Sequence, residues 1–248
     1  MRRLVTIPIS HYCEKARWAL ERAGLDYREE RHVQAVHRVA SRRAGGVGTV
    51  PVLVADEGVF AESEQIVAYA DRHLPAARRL MPTDERERAD VLATARWLDA
   101  GLGPEGRRLI YAHMLRDRGL MLPFNNQGVP RWEARALTAG WPLAVRWGKR
   151  ELSIGPDAEV VATRNVREAF DAVAERLDAG GGYLCCGRFT AADLTFAALS
   201  AAVLLPARYG VALPQPDVLP ADTARLVNEF RAHPAGQRAL AFFAEERG

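Results

Sequence analysis

The sequence predicts an α/β domain followed by an all-α domain. Three observations lead there. Short β-branched runs alternate with helical patterns in the order β-α-β-α-β-β-α over residues 1–80. After Thr83 the strand signals vanish and amphipathic helical periodicity takes over. The 248 residues, 48% hydrophobic and 26% charged, have a globular composition and enough length for one large domain or two small ones. The expected division is residues 1–80, a linker at 81–85, and residues 86–248.

Residues 4–9, Leu-Val-Thr-Ile-Pro-Ile, read as a buried parallel strand. Residues 12–23 read as a helix with Ala16, Ala19, Leu20 and Ala23 on one face, stopped by Gly24. A second strand at 27–33 makes a right-handed crossover with the first. A basic helical segment at 34–43 ends in Gly45-Gly46. Pro51 interrupts an apolar run, which places it at an edge or a special bend. The Asp56-Glu57-Gly58 turn joins two short runs into an antiparallel hairpin. Ser63 is the expected N-cap of the next helix.

Ser10 and Cys13 sit three residues apart where the first strand delivers the chain to a helix N-terminus, whose free N–H groups stabilise anions. A thiolate at such a place is more acidic than in water. Ser10 is equally explained as an N-cap.

These features together resemble the cytosolic glutathione S-transferases, of a bacterial type with a Ser-x-x-Cys turn. Residues 10–17 are similar to the family's active-site turn, Val50-Pro51 to its cis-proline turn, and Glu62-Ser63 to its acidic-Ser pair. The resemblance implies a thioredoxin-like domain, then a helical domain. It implies glutathione as co-substrate, with Ser10 stabilising its thiolate. Val50 and Pro51 would hold the glutathione cysteine through backbone, and Glu62 and Ser63 the γ-glutamyl end. Where relatives carry a cysteine at the first position of the motif, Ser10 cannot form a mixed disulfide but can donate a hydrogen bond. His11 replaces a usual proline and is expected at the surface, with contact to substrate as the alternative. Cys13 is expected to pack as a small buried residue, with redox chemistry as the alternative.

Farther on, a helix opens at Thr83-Asp84-Glu85-Arg86 with Val91, Leu92, Ala95, Leu98 and Leu102 as its stripe, and another covers 105–116. Residues 123–128 read as a loop. Trp132, Trp141 and Trp147 lie among arginines and lysines, a pattern that suits core helices with snorkelling cations better than a membrane or nucleic-acid surface. In the family this region walls the electrophile pocket, which makes His11, Tyr12, Trp141 and Trp147 candidate pocket residues. Residues 160–177 form a further helix, and Phe189-Thr190-Ala191-Ala192-Asp193 is a capping box with Phe189 placed to staple onto Leu194. It resembles the buried box of the same family.

The net charge of +3 is too small to argue for nucleic acid. The excess lies in residues 1–80, with 13 Lys/Arg against 10 Asp/Glu, a weak pointer to an anionic ligand. Three cysteines make no disulfide framework, and the N-terminus lacks a signal-peptide core, so a cytoplasmic location is expected. The longest apolar run, 196–207, is too short to span a bilayer and reads as a buried helix. The six histidines show no metal-ligand spacing, so no metal is expected. The resulting expectation is a detoxification enzyme, a homodimer by resemblance, that joins glutathione to a small apolar electrophile. Its rivals are a glutathione-dependent thiol oxidoreductase acting through Cys13 and a non-catalytic binding or scaffold protein.

Overall fold

The β-branched first run forms β1 (Arg2–Thr6), and α1 (His11–Arg22) carries the chain back to β2 (Tyr27–Arg31), which pairs parallel with β1. After α2 (Val36–Arg43), β3 (Val52–Ala55) and β4 (Gly58–Phe60) form a hairpin that joins antiparallel through β3 to β1. The sheet order is β2-β1-β3-β4. The computed structural model describes residues 1–247. The helix α3 (Ser63–Asp71) packs against α1, so the sheet is followed by a thioredoxin-like helical layer.

From α4 (Glu85–Ala100) onward the described elements are helical: α5 (Leu102–Met114), α6 (Arg118–Asn125), α7 (Arg131–Ala139), α8 (Trp141–Glu151), α9 (Ala158–Ala179), α10 (Ala191–Leu204), α11 (Ala221–Ala232) and α12 (Pro234–Glu245), with short 3-10 turns between some. Helix α10 is apolar on every side and lies at the centre, packed on α1, α4, α5 and α12. A helix that is hydrophobic all round has no face to offer to water. Its contact with α1 joins the helical part to the sheet-bearing part through one core that includes Leu4, Trp18, Leu98, Phe170 and Phe196.

The capping box forms. Thr190 is extended, its Oγ1 accepts from the Ala192 N–H at 3.3 Å, and Asp193 Oδ2 accepts from the Thr190 N–H at 2.8 Å. Asp193 Oδ1 also accepts from the Leu184 N–H at 2.8 Å, so one carboxylate ties the preceding turn to α10. Phe189 stacks on Trp18 with ring centres 5.9 Å apart and meets Phe242 edge-on.

Four expectations are corrected. Residues 123–128 are not all loop, because α6 runs through Pro123. Asp117 caps it at the Leu120 N–H, and the helix stops two residues past the proline, which therefore removes a single intrahelical bond. The Trp-rich helices are not core helices: α8 buries no residue and Trp132 is 62% exposed. Leu102 belongs to α5 and not to the stripe of α4, whose buried residues are Val91, Thr94, Ala95 and Leu98. The N-cap of α3 is Glu62, in extended conformation, and Ser63 is the first helical residue.

Replacing Asp193 by Ala strips two buried N–H groups and the Thr190 hydroxyl of their acceptor. Asp193→Ala is expected to lower the unfolding free energy by about 3 kcal/mol, measured by urea titration. A loss below about 1 kcal/mol would show that the box adds little to the fold.

Candidate functional site

Beside the N-terminus of α1 lies a cavity of about 770 Å³ whose walls come from both parts of the chain. The first wall is Ser10, Tyr12, Val50, Pro51, Glu62 and Ser63; the second comes from α4, α5 and α8.

Ser10 is the N-cap of α1. Its Oγ accepts from the Cys13 N–H at 3.4 Å, a long bond that leaves the hydroxyl proton free to be donated. The ladder between β1 and β3 ends at Val5 and Val52, so Val50 stands beyond the paired strand. The Val50–Pro51 peptide bond is cis. The approach to it turns at Gly48, whose φ of 107° is open to glycine and strained for other residues, and whose N–H donates to Ser41 Oγ at 3.1 Å. At α3 Gln65 Oε1 accepts from the Ala61 N–H at 3.0 Å, and the N-cap Glu62 makes no side-chain capping bond, so the first N–H groups of the helix have no side-chain cap among the described residues. Ser63 is buried and Glu62 exposed on the same edge of the cavity.

Cys13 is fully buried and does not line the cavity. Burial pushes its thiol pKa up, against the nearby Arg17 charge and the Ser10 hydrogen bond. The Ser10 and Cys13 side chains thus leave the same turn towards different environments.

His11 is not at the surface as the sequence suggests. It is only 4% exposed because α1 starts under α5, and it lines the cavity beside Tyr12, with ring centres 4.6 Å apart. Burial, helped by the Arg107 charge, lowers its pKa to about 3, so it is neutral. Tyr12 donates from its hydroxyl to the Asp99 carbonyl at 2.8 Å. Gly103 makes room for this, since a β-carbon there would collide with the Tyr12 hydroxyl. Trp147 lines the cavity and lies under the Arg38 guanidinium, 5.2 Å from the ring centre, while Arg38 is ion-paired with Glu151 on α8. Trp141 does not reach the cavity. One helical turn and a half before Trp147 it faces another way, onto the Ile110–Met114 cluster.

Sequence reasoning missed the residues that α4 and α5 contribute. Asp99 takes an ion pair from Lys15 at 2.7 Å through Oδ2, while its buried Oδ1 has no partner among the described residues. Burial raises the Asp99 pKa even with Lys15 beside it. Arg107 and Tyr111 stand one turn apart on α5 and line the same cavity. The stretch 99–111 holds no motif to single them out; only the packing of α5 over α1 turns them inward. No group of three His, Cys, Asp or Glu able to hold a metal ion occurs among the described residues.

Residues 4–78 match the family model described as the glutathione S-transferase N-terminal domain. No curated protein sequence matches the chain. Among solved structures it is similar to the β-etherase LigF from Sphingobium sp. strain SYK-6, at 17% identity, TM-score 0.60, covering 97% of this chain and 98% of that one. It is similar to a glutathione S-transferase from Rhodospirillum rubrum at 19% identity, TM-score 0.58 and 99% of both chains. The chain has the glutathione S-transferase fold. A Methylobacillus flagellatus glutathione S-transferase with glutathione bound, 15% identical, aligns over 96% of this chain and 98% of that one with TM-score 0.56.

His11 and His37, whose pKa burial lowers to about 4, are both held below the ordinary histidine value of 6.5. The unfolded chain therefore binds protons that the folded chain refuses. Their contribution to stability is whole above pH 6.5 and is lost as pH falls towards their folded values. Stability from urea titrations is expected to drop by up to about 1.4 kcal/mol per pH unit for each histidine between pH 6 and 4.5. His11→Gln should make that slope visibly shallower; an unchanged slope would mean that His11 titrates normally.

Proposed function

We propose that the chain is a glutathione transferase that activates the glutathione thiol for attack on a small electrophile. The observation that carries this reading is convergence: Ser10, Val50, Pro51, Glu62 and Ser63 come from three separated stretches and line one wall of one cavity.

Glutathione is a tripeptide with a thiol, an amine and two carboxylates. The unpaired backbone at Val50 suits its cysteine, by the same main-chain pairing that adds a strand to a sheet edge. The N-terminus of α3 and the free Ser63 hydroxyl suit the γ-glutamyl carboxylate. Glu62 and the unsatisfied Asp99 Oδ1 are acceptors for the amino group. The thiol then lies against Ser10, at the positive end of α1. Lowering a thiol pKa by about two units from about 8.5 needs about 2.7 kcal/mol of preference for the anion. A charge-assisted bond from Ser10 and the α1 dipole are of that size together. The thiolate sulfur forms a bond to the electrophilic carbon, and a leaving group departs with its electron pair or a double bond takes up a proton.

The oxidoreductase alternative asks Cys13 to attack a disulfide. A thiol that is buried, outside the cavity and raised in pKa suits this poorly. The scaffold alternative predicts thiol binding without turnover. A cytoplasmic homodimer active in detoxification is proposed on resemblance. Among the described residues no helix is long and apolar enough to cross a membrane.

Ser10→Ala is expected to raise the pKa of bound glutathione and to cut turnover near neutral pH about ten-fold or more, with part of the loss recovered at high pH. Cys13→Ser should stay near the parent rate. The checks are an ultraviolet titration of the bound thiolate and pH–rate profiles of both variants. A thiolate pKa unmoved in Ser10→Ala removes Ser10 from the mechanism, and a dead Cys13→Ser favours the oxidoreductase.

A further inference from the structure

The cavity continues into a smaller chamber of about 40 Å³, and the two share Ile9, His11, Arg107 and Tyr111. Neither Val50 nor Ser63 lines the smaller chamber, so it lies at the end away from the groups assigned to glutathione. Its other walls are apolar, with Ile110, Met114, Met121 and Phe124 among them.

At the junction stands a cation with no anion. No carboxylate among the described residues pairs with Arg107, and its buried Nε has no hydrogen-bond partner. The neighbouring arginine shows the contrast: Arg108 is ion-paired with Glu105 at 2.9 Å. His11, nine-tenths buried and facing the same space, leaves Nε2 without a partner. Tyr111 adds a hydroxyl that receives only a long 3.4 Å contact from Gln34. Among the other charged groups lining the larger cavity, Arg38 is paired with Glu151 and Arg96 with Glu64, while Glu62, unpaired among the described residues, stands at the glutathione end. Because His11 is neutral, the junction carries the single positive charge of Arg107.

Arg107 is half-buried with its Nε out of reach of water, and a buried donor of a charged group is costly to leave unpaired unless a ligand completes it. A carboxylate does so best, because its two oxygens match the planar fork of the guanidinium. We propose that the second substrate is a carboxylate-bearing electrophile with an apolar body: Arg107 holds the carboxylate, with His11 and Tyr111 beside it, and the small chamber takes the apolar end. This rests on the transferase reading for the word electrophile, but the anion site itself does not. It narrows the wholly apolar substrate expected from the sequence.

The test uses unreactive probes with a short apolar end suited to the small chamber, butanoate and its neutral amide, titrated by calorimetry with and without saturating glutathione. The parent protein is expected to bind the carboxylate at least ten-fold more tightly than the amide in both conditions. Arg107→Gln, checked for folding by circular dichroism, should bring the two within two-fold. Arg107→Lys keeps the charge without the fork and should retain a preference of about three-fold, which preserves the test if the glutamine variant fails to fold. Equal affinities in the parent, no detectable binding of either probe, or a preference that survives Arg107→Gln would overturn the proposal. A preference abolished by glutathione would also overturn it, since Arg107 would then serve glutathione. Failure of glutathione itself to bind would instead sink the transferase reading and leave the anion site standing.

Discussion

The arrangement of the site depends on the guanidinium of Arg17. This side chain is 1% exposed, yet each of its three nitrogens donates a hydrogen bond. Its Nε donates to Glu29 at 2.8 Å, Nη1 to Glu14 at 3.3 Å, and Nη2 to the carbonyls of Ile7 and Pro8 at 3.3 and 3.0 Å. Burial alone would lower its pKa, but the Glu29 and Glu14 charges outweigh that and raise it. Those two carbonyls belong to the short link that carries β1 into Ser10. A buried charge pair gains little net stability over an apolar replacement, but it fixes geometry. Here it fixes the place from which Ser10 faces the cavity. From the other side the Tyr209 hydroxyl donates to the Ile9 carbonyl at 3.3 Å, and the Gly210 N–H donates to Glu14 at 2.9 Å. The turn at Ser10 is thus clamped between an arginine of its own helix and a loop near residue 210.

The two walls of the cavity differ in how they are made. The Ser10, Val50 and Ser63 wall rests on a sheet and two helix N-termini, and each part follows from a local pattern. The Arg107, Tyr111 and Trp147 wall rests on helices whose inward faces are decided by neighbours. Helix α8 reaches α2 through Arg38, which contacts both Glu151 and Trp147. It fully buries none of its residues: Trp141 and Val145 pack half-buried on the Ile110–Met114 cluster, and polar and cation–π contacts hold the rim at the mouth.

This difference explains what could be read in advance. The alternation of strands and helices, the glycine stops and the Thr190–Asp193 box are short-range signals, and each was legible because its partners lie within four residues. Ser10, Val50 and Ser63 were legible because a strand end, a proline and a helix start mark them. His11 misled because a polar residue at a helix start reads as exposed, and only the lid of α5 buries it. Arg107 and Asp99 lie on periodic helices where a charged residue ordinarily faces water. Residues 123–128 read as a loop, whereas Asp117 caps a helix that passes through Pro123.

Glu14 accepts from Arg247 Nε at 2.7 Å across 233 residues of sequence. On a ribosome adding about 5–20 residues per second, that partner appears roughly 10–50 seconds after Glu14 itself. Throughout that interval the first sheet and α1 can form, but the acid beneath the turn at Ser10 lacks its second arginine and has Arg17 and, late in the interval, the Gly210 N–H to answer it. A partner made more than two hundred residues later therefore closes the electrostatics beneath the first helix, and the turn at Ser10 is a product of distant chain as much as of its own local sequence.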